Sequence, residues 1–286
     1  MKKRWQRRRI VEVFVKGLMF VSFVIVAACL GLILWTVITK GLPALNWAMV
    51  TQTPKGGFYM GKEGGVLNAI IGSAYLASGG TLLALLFSLP IALYLQTYLE
   101  NSDWGRYVRL SLDVLWGIPS IVYGAFGFIL MLALGMRASL LAGIIVLALI
   151  ELPIMVRAMD EVIRRMPVDL EHAALALGST KLEVALNVVS RQMLPGIITA
   201  VLLAFGRGIG DAASVLFTAG YTDRIPTSLM QPTASLPLAV FFQLSTPYPA
   251  VQQRGYASAV ILTIIVLIIS LSSRWISGRL NKYTVK

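Results

Sequence analysis

The chain is poor in the groups that perform covalent and metal chemistry. It has one cysteine, Cys29, and one histidine, His172, among 286 residues. A single thiol excludes an intramolecular disulfide and leaves the redox compartment unread. One histidine and one remote cysteine do not make a metal cluster. No Gly-x-x-x-x-Gly-Lys-Ser/Thr run occurs, so ATP hydrolysis by this chain is not expected. His172 has no matched Ser and Asp partners, which leaves no credible nucleophilic triad. Charge is also scarce: 13% of residues are Asp, Glu, Lys or Arg, against about a quarter in an average soluble domain. Neither a soluble enzyme nor a metalloprotein fits these shortages.

What the chain has instead is long uncharged stretches, within an overall composition that is 57% hydrophobic. Lys16 and Lys40 bracket 23 uncharged residues, Glu63 and Glu100 bracket 36, Asp113 and Arg137 bracket 23, and Arg254 and Arg274 bracket 19. Roughly 20 apolar residues cross a bilayer core as a helix, and backbone in lipid must satisfy its own hydrogen bonds. The pattern predicts an all-α integral membrane protein with six spans, at 17–39, 67–98, 110–134, 138–157, 193–219 and 255–275. The second is long enough to tilt. The fourth is expected to be interrupted at Glu151-Leu152-Pro153. Residues 17–39 are too long for an ordinary signal core and are read as a retained span.

The net charge of +12 invites a nucleic-acid reading, but its distribution points to the membrane. Seven of the 25 basic residues lie in the tail 1–16, in Lys2-Lys3-Arg4 and Arg7-Arg8-Arg9 above all. With both termini cytoplasmic, 18 basic residues face inward, six face outward, and Arg207 lies within a span. That bias follows the positive-inside rule. The expected organisation is a basic tail 1–16, a membrane domain 17–275 and a cytoplasmic tail 276–286. External loops fall at 40–66 and 220–254, and a cytoplasmic loop at 158–192. Gly56, Gly57, Gly61, Gly64 and Gly65 punctuate the first external loop. Pro226, Pro232, Pro237, Pro247 and Pro249 punctuate the second, where Phe241, Phe242 and Tyr248 suit a short interfacial helix.

The cytoplasmic loop reads as short helices. Pro167 suits a helix start, with Asp169 and Glu171 near the positive end of the dipole. Ala173, Ala174 and Ala176 permit close approach by a partner. Gly178-Ser179-Thr180 ends that helix and caps the next. Leu182, Ala185, Leu186 and Val189 then recur at helical spacing. Two readings stay open on the residues alone: an amphipathic helix on the membrane surface, or a docking element for a soluble partner.

Glu171-His172-Ala173-Ala174, Gly178 and Leu194-Pro195 resemble the cytoplasmic signature of the integral permease subunits of ATP-binding cassette importers. Aligned on Gly178, the family's Glu-Ala-Ala falls on His172-Ala173-Ala174. Three further stretches, over nearly the whole chain, resemble the PstA family of phosphate-importer permeases. They are Gly64-Gly65-Val66-Leu67-Asn68-Ala69-Ile70-Ile71-Gly72-Ser73, Gly117-Ile118-Pro119-Ser120-Ile121-Val122-Tyr123-Gly124, and Arg207-Gly208-Ile209-Gly210-Asp211-Ala212-Ala213 followed by Phe217-Thr218-Ala219-Gly220. Gly208, Asp211 and Ala212 stand where that family has Ala, Glu and Thr. The resemblance implies a type I importer permease in the cell inner membrane, with ATPase coupling through Glu171, Ala173, Ala174, Gly178 and Leu182. It also implies a second permease chain similar to PstC, two ATPase subunits similar to PstB and an external solute-binding protein similar to PstS. Membrane lipid surrounds the chain. ATP is used by partners, and no cofactor is bound here.

Arg207 and Asp211 are four residues apart and share a helix face. Charges in hydrocarbon are costly unless paired or set on a water-filled path. A structural link and a place on the solute path both remain open for this pair. An arginine suits an oxyanion because its planar fork donates parallel hydrogen bonds. Gly206, Gly208 and Gly210 allow close approach or local unwinding. Asn68, Ser73, Ser120 and Tyr123 are weaker pathway candidates, since a lone hydroxyl in a span commonly bonds backbone. Glu151 is expected to stabilise a helix junction, and His172 to lie on the surface of the docking loop. The leading function is half of the translocation path for inorganic phosphate. Alternatives are a permease for another oxyanion or small solute, a membrane sensor or scaffold, and an intramembrane enzyme.

Overall fold

A computed structural model describes residues 2–55 and 63–280. Gly56, Gly57 and Gly61 of the expected external loop, and most of the expected C-terminal tail, lie outside the described residues. The chain opens on α1 (Lys2–Gly41), a single helix of 40 residues. A 3-10 turn (Leu42–Ala44) and the short α2 (Trp47–Thr51) follow, then a two-stranded antiparallel hairpin of β1 (Pro54–Lys55) and β2 (Glu63–Gly64). The hairpin is the one departure from an all-α chain among the described residues. Next come α3 (Leu67–Thr97), α4 (Asp103–Gly117), α5 (Ser120–Ala133) and α6 (Leu140–Ile163). After α7 (Val168–Ala176), α8 (Lys181–Glu183) passes through a π-helical stretch at Val184–Val189 into α9 (Ser190–Gln192). The chain ends with α10 (Leu194–Gly210), α11 (Leu236–Leu244) and α12 (Pro249–Leu280).

Among the described residues, four helical stretches are long and apolar enough to cross a membrane, at Val11–Ala44, Leu67–Thr97, Leu140–Ile163 and Pro249–Ile276. The number reaches six only if two bent pairs each count as one span. Neither of the expected spans 110–134 and 193–219 is one continuous helix. The first is α4 and α5, bent by 96°. Pro119 drives Ile118 out of the helical region, to ψ 130°, and the Tyr123 hydroxyl donates to the Leu115 carbonyl across the bend at 3.0 Å. In the second, α10 meets the preceding segment at 73°. It starts on Leu194-Pro195 and stops at Gly210, because Asp211 is extended and its Oδ1 accepts the Ser214 N–H at 3.0 Å. The expected interruption at Glu151–Pro153 is absent: α6 runs unbroken from Leu140 to Ile163 with Pro153 inside it.

Glycines let α3, α6 and α10 pack closely. A Cβ on Gly80 would meet the Leu147 side chain at 2.9 Å, and one on Gly196 would meet Val162 at 2.1 Å. The main core joins these helices through Ala84, Leu95, Met155, Val156, Met159, Ala200 and Ala204. The helix expected in the second external loop forms as α11 and holds Phe241 and Phe242, with Tyr248 beyond its end. Its first turn is not interfacial. Leu236, Leu238 and Ala239 are fully buried, and the Leu236 N–H donates to Ser73 Oγ at 2.8 Å. By contrast, α1 leaves nearly all of residues 11–35 uncovered, touching the rest mainly at its C-terminal end, where Gly41 meets Tyr256.

Candidate functional site

The polar centre of the bundle lies where α3, α6 and α10 cross. Glu151 of α6 is fully buried. Its Oε2 accepts the Thr81 hydroxyl at 2.8 Å. Its Oε1 has no hydrogen-bond donor among the described residues. That oxygen lies against Gly208, where a Cβ would come within 2.0 Å of it. A side chain at 208 would displace the carboxyl beside it. The charges of Asp211 and Arg207 both act on this carboxyl. Glu151, expected at a helix junction, instead sits in the middle of an unbroken helix and in the centre of the site.

Arg207 and Asp211 do not form an ion pair. Asp211 is half-buried and caps the turn after α10. Arg207 is exposed and belongs to none of the ion pairs or side-chain hydrogen bonds among the described residues. The helix breaks between the two, so the spacing of four does not place them side by side. Leu203, Gly206, Arg207 and Gly210 recur at intervals that place them on one face of α10. Leu203 is exposed, and nothing among the described residues lies within 4 Å of a Cβ on Gly206 or Gly210. Of the three glycines expected to permit close approach, only Gly208 does so.

The weaker pathway candidates are brought to other tasks. Asn68 is buried, and its Nδ2 donates to the Thr222 carbonyl at 2.6 Å, tying the start of α3 to the segment after α10. Ser73 holds α11. Tyr123 holds the bend between α4 and α5. Ser120, in the first turn of α5, is half-buried and close to that bend.

A second charged cluster had no clear signal in the sequence. Asp160 of α6 is fully buried and takes a two-pronged contact from Arg109 of α4, at 2.9 and 3.1 Å. Arg109 also donates to the Leu95 carbonyl of α3 at 3.2 Å. Arg157 reaches Asp160 at 3.3 Å and Asp113 at 2.6 Å. Arg164 adds a longer contact at 3.6 Å. The only trace in the sequence is the spacing of Arg157, Asp160 and Arg164 on one helix face.

Below this cluster, α7 and α8 stand at the end of the bundle. The α7 helix ends through backbone bonds from Leu177, Gly178 and Ser179, with Gly178 in the left-handed region at φ +90°. That conformation is the reason for glycine here. Thr180 and Glu183 form a full capping box at the start of α8. Backbone and side-chain hydrogen bonds from Thr180 hold the Glu183 carboxyl below the usual carboxylate range. His172 and Ala173 are exposed, Glu171 and Ala174 half-buried, and Leu177 is 88% exposed. The expected apolar stripe splits: Ala185 and Val189 are buried, while Leu182 and Leu186 are exposed. A π-helical turn at 184–189 interrupts the α-helical spacing that the stripe presumes.

This architecture has relatives. Residues 88–285 match the family model described as "Binding-protein-dependent transport system inner membrane component". The chain is 33% identical over 258 residues to the phosphate transport system permease protein PstA of Haemophilus influenzae, covering 90% of each. It is 35% identical over 280 residues to PstA 1 of Mycobacterium tuberculosis strain H37Rv, covering 94% of this chain and 88% of that one. A structure of the MetNI methionine ABC transporter in an inward-facing conformation aligns at a TM-score of 0.60 and 17% identity, over 74% of this chain and 94% of that one. The last likeness concerns the fold alone. The chain belongs to the family of binding-protein-dependent transport inner membrane components.

Proposed function

We propose that this family member forms half of the translocation path of an ATP-driven importer of inorganic phosphate. The observation that carries the reading is Arg207, an exposed guanidinium on an uncovered face of α10. It lies about 20 Å along the helix from Leu194, at a rise of 1.5 Å per residue. An arginine left open in a span marks a solute path more often than a lipid contact. A tetrahedral oxyanion takes the parallel donors of its fork. The open face of Gly206, Arg207 and Gly210 suits closure by a second permease chain. The phosphate transport for which the PstA relatives are named agrees with this solute.

The second half of the proposal is coupling. ATP is hydrolysed by separate subunits that dock on residues 168–186, where exposed Leu177, Leu182 and Leu186 surround the Gly178 turn. An external binding protein delivers the solute. In this reading the chain sits in the inner membrane with both termini and the loop 158–192 in the cytoplasm. The loops 40–66 and 220–254 lie outside. A cysteine at Ser179, in a chain lacking Cys29, then stays unlabelled by an impermeant reagent in intact cells; labelling there sinks the orientation.

The deciding experiment is uptake of labelled phosphate by the complete complex in proteoliposomes, with sulfate as competitor. The reading expects ATP-dependent phosphate uptake that excess sulfate does not suppress. Preferential uptake of sulfate would assign another oxyanion, and no uptake of either would overturn the importer assignment for this solute class.

A further inference from the structure

Arg207 is uncovered, while one oxygen of a fully buried carboxylate lies unpartnered beside the next residue of the same helix. A Cβ on Gly208 would come within 2.0 Å of Glu151 Oε1. Adding one Cα–Cβ bond and one Cα–Cα step places the Arg207 Cα within about 7 Å of that oxygen. An arginine side chain covers that distance without movement of the helix. The route is open in chemical terms as well. Residue 208 has no side chain to stand between the two.

We propose that Glu151 is a positioning residue for Arg207, pairing with its guanidinium through Oε1 in the solute-free resting state and yielding it to the anion during transport. The proposal rests on the reading of Arg207 as the cation of the path. Thr81 fixes one carboxyl oxygen and so aims the other at α10. Asp211 stands beyond the end of α10 in extended backbone, where its Oδ1 accepts the Ser214 N–H. The buried acceptor and the open donor are then two halves of one contact. The present structure shows them apart, with Arg207 turned to the uncovered face. Exchange of the guanidinium between Glu151 and the solute would make the resting state dependent on the path being empty. It would thereby link occupancy of the path to the ATPase.

The test uses the complete complex of this chain with its partner permease and ATPase subunits. A resting state held by the Glu151–Arg207 contact is weakened by removing either side. Basal ATP hydrolysis without binding protein should rise about fivefold or more in Glu151→Gln, the low end of typical coupling between sites. Arg207→Gln should raise it by a similar factor, and the double variant no further. Phosphate uptake should be lost in Arg207→Gln and retained in part in Glu151→Gln. Basal hydrolysis at the native rate in Glu151→Gln, alongside loss of uptake in Arg207→Gln, overturns this proposal and leaves the role of Arg207 standing. Full uptake in Arg207→Gln overturns both. A multiplicative effect in the double variant also overturns it, since independent sites add in free energy. Should Glu151→Gln not assemble, Glu151→Asp replaces it, its shorter carboxylate withdrawn from Gly208, and the same rise is expected. Failure of both to assemble assigns Glu151 to packing and overturns the proposal.

Discussion

Asp160 and Glu151 lie on the same helix, nine residues apart, and both are fully buried. Their surroundings are opposite. Asp160 receives three guanidinium groups and Arg109 grips both of its oxygens. Glu151 receives one hydroxyl and keeps an oxygen unpartnered. A charge that is fully engaged resists movement, because any displacement exposes it unpaired in the bundle. A carboxyl with one unused acceptor can gain a partner when its neighbours shift. The first arrangement ties α3, α4 and α6 together just before the chain enters α7. The second lies where a solute path would run. Rigid charges thus sit nearest the proposed coupling end, and adaptable ones in the middle of the bundle.

The largest expected effect comes from breaking the engaged cluster. Asp160→Asn removes the negative charge and leaves Arg109 buried without a counter-ion, which costs about 3–5 kcal/mol. Thermal unfolding of the purified complex should start at a distinctly lower temperature, and complex yield should fall. Replacing the buried pair together, with Arg109→Met and Asp160→Leu, should restore much of the loss, because an apolar pair leaves no uncompensated charge. An unchanged melting profile in Asp160→Asn would end the contrast drawn between the two carboxylates.

The next effect reads the other region. Arg207→Gln touches an exposed side chain, so stability should change by no more than about 0.5 kcal/mol. Uptake of phosphate should nevertheless fall about tenfold or more, since a charge-assisted hydrogen bond contributes roughly 1.5–3 kcal/mol. Melting of the complex and uptake, measured on one preparation, separate the two quantities. Asp211→Asn keeps the oxygen that accepts the Ser214 N–H and should reduce uptake less than Arg207→Gln does. Equal losses in the two variants would mean that they act as a pair, contrary to their positions in the structure.

The same contrast explains what could be read from the sequence. Long uncharged runs marked α1, α3 and α12, because lipid demands continuous helix there; α6 was read from an apolar run that carries Glu151, and the expected interruption did not form. Gly178 was legible as a break, and it does take the left-handed conformation. The bend at Pro119 was not legible, because Pro119 sits inside the apolar run 110–134 read as one span, whereas the bend before Leu194 falls at the expected boundary between the loop 158–192 and the span from 193. Arg109 and Asp160 are 51 residues apart, and no local pattern joins them. Asn68 was marked by its polarity, but its bond to the Thr222 carbonyl spans 154 residues. For Arg207 and Asp211, helical spacing suggested a pair, but the helix ends at Gly210. Periodicity is informative only while the helix that carries it continues.

A smaller effect is expected where charge has no part. Gly178 has open space around its Cβ position but φ +90°. Gly178→Ala should therefore cost about 1 kcal/mol of local stability through backbone strain alone. Gly178→Trp adds bulk at the proposed docking surface. It should abolish coupling, read as uptake and co-purification of the ATPase subunits, while the chain still inserts. Normal uptake and co-purification in Gly178→Trp would move the coupling contact elsewhere and leave the Asp160 cluster adjoining no functional element.

The smallest effect belongs to an engaged carboxylate that is exposed. Glu183 accepts the Thr180 N–H at 2.7 Å and its hydroxyl at 2.8 Å, both at Oε2, and unlike Asp160 lies in solvent. These bonds lower its folded-state pKa. Its contribution to α8 is therefore complete above the unfolded carboxylate pKa and is lost as pH falls through the lower, folded value. Thr180→Ala removes the cap from the other side and should cost about 1 kcal/mol of local helix stability. Hydrogen exchange across residues 180–184 should quicken in this variant near neutral pH, and the difference from the native chain should shrink in acid. Exchange across α6 near Asp160 should not follow the same change. If the Thr180→Ala difference persists undiminished below the folded pKa, the carboxylate half of the box contributes nothing. Hydrogen bonding alone would then not distinguish the Asp160 cluster, and its burial would carry the whole of the contrast.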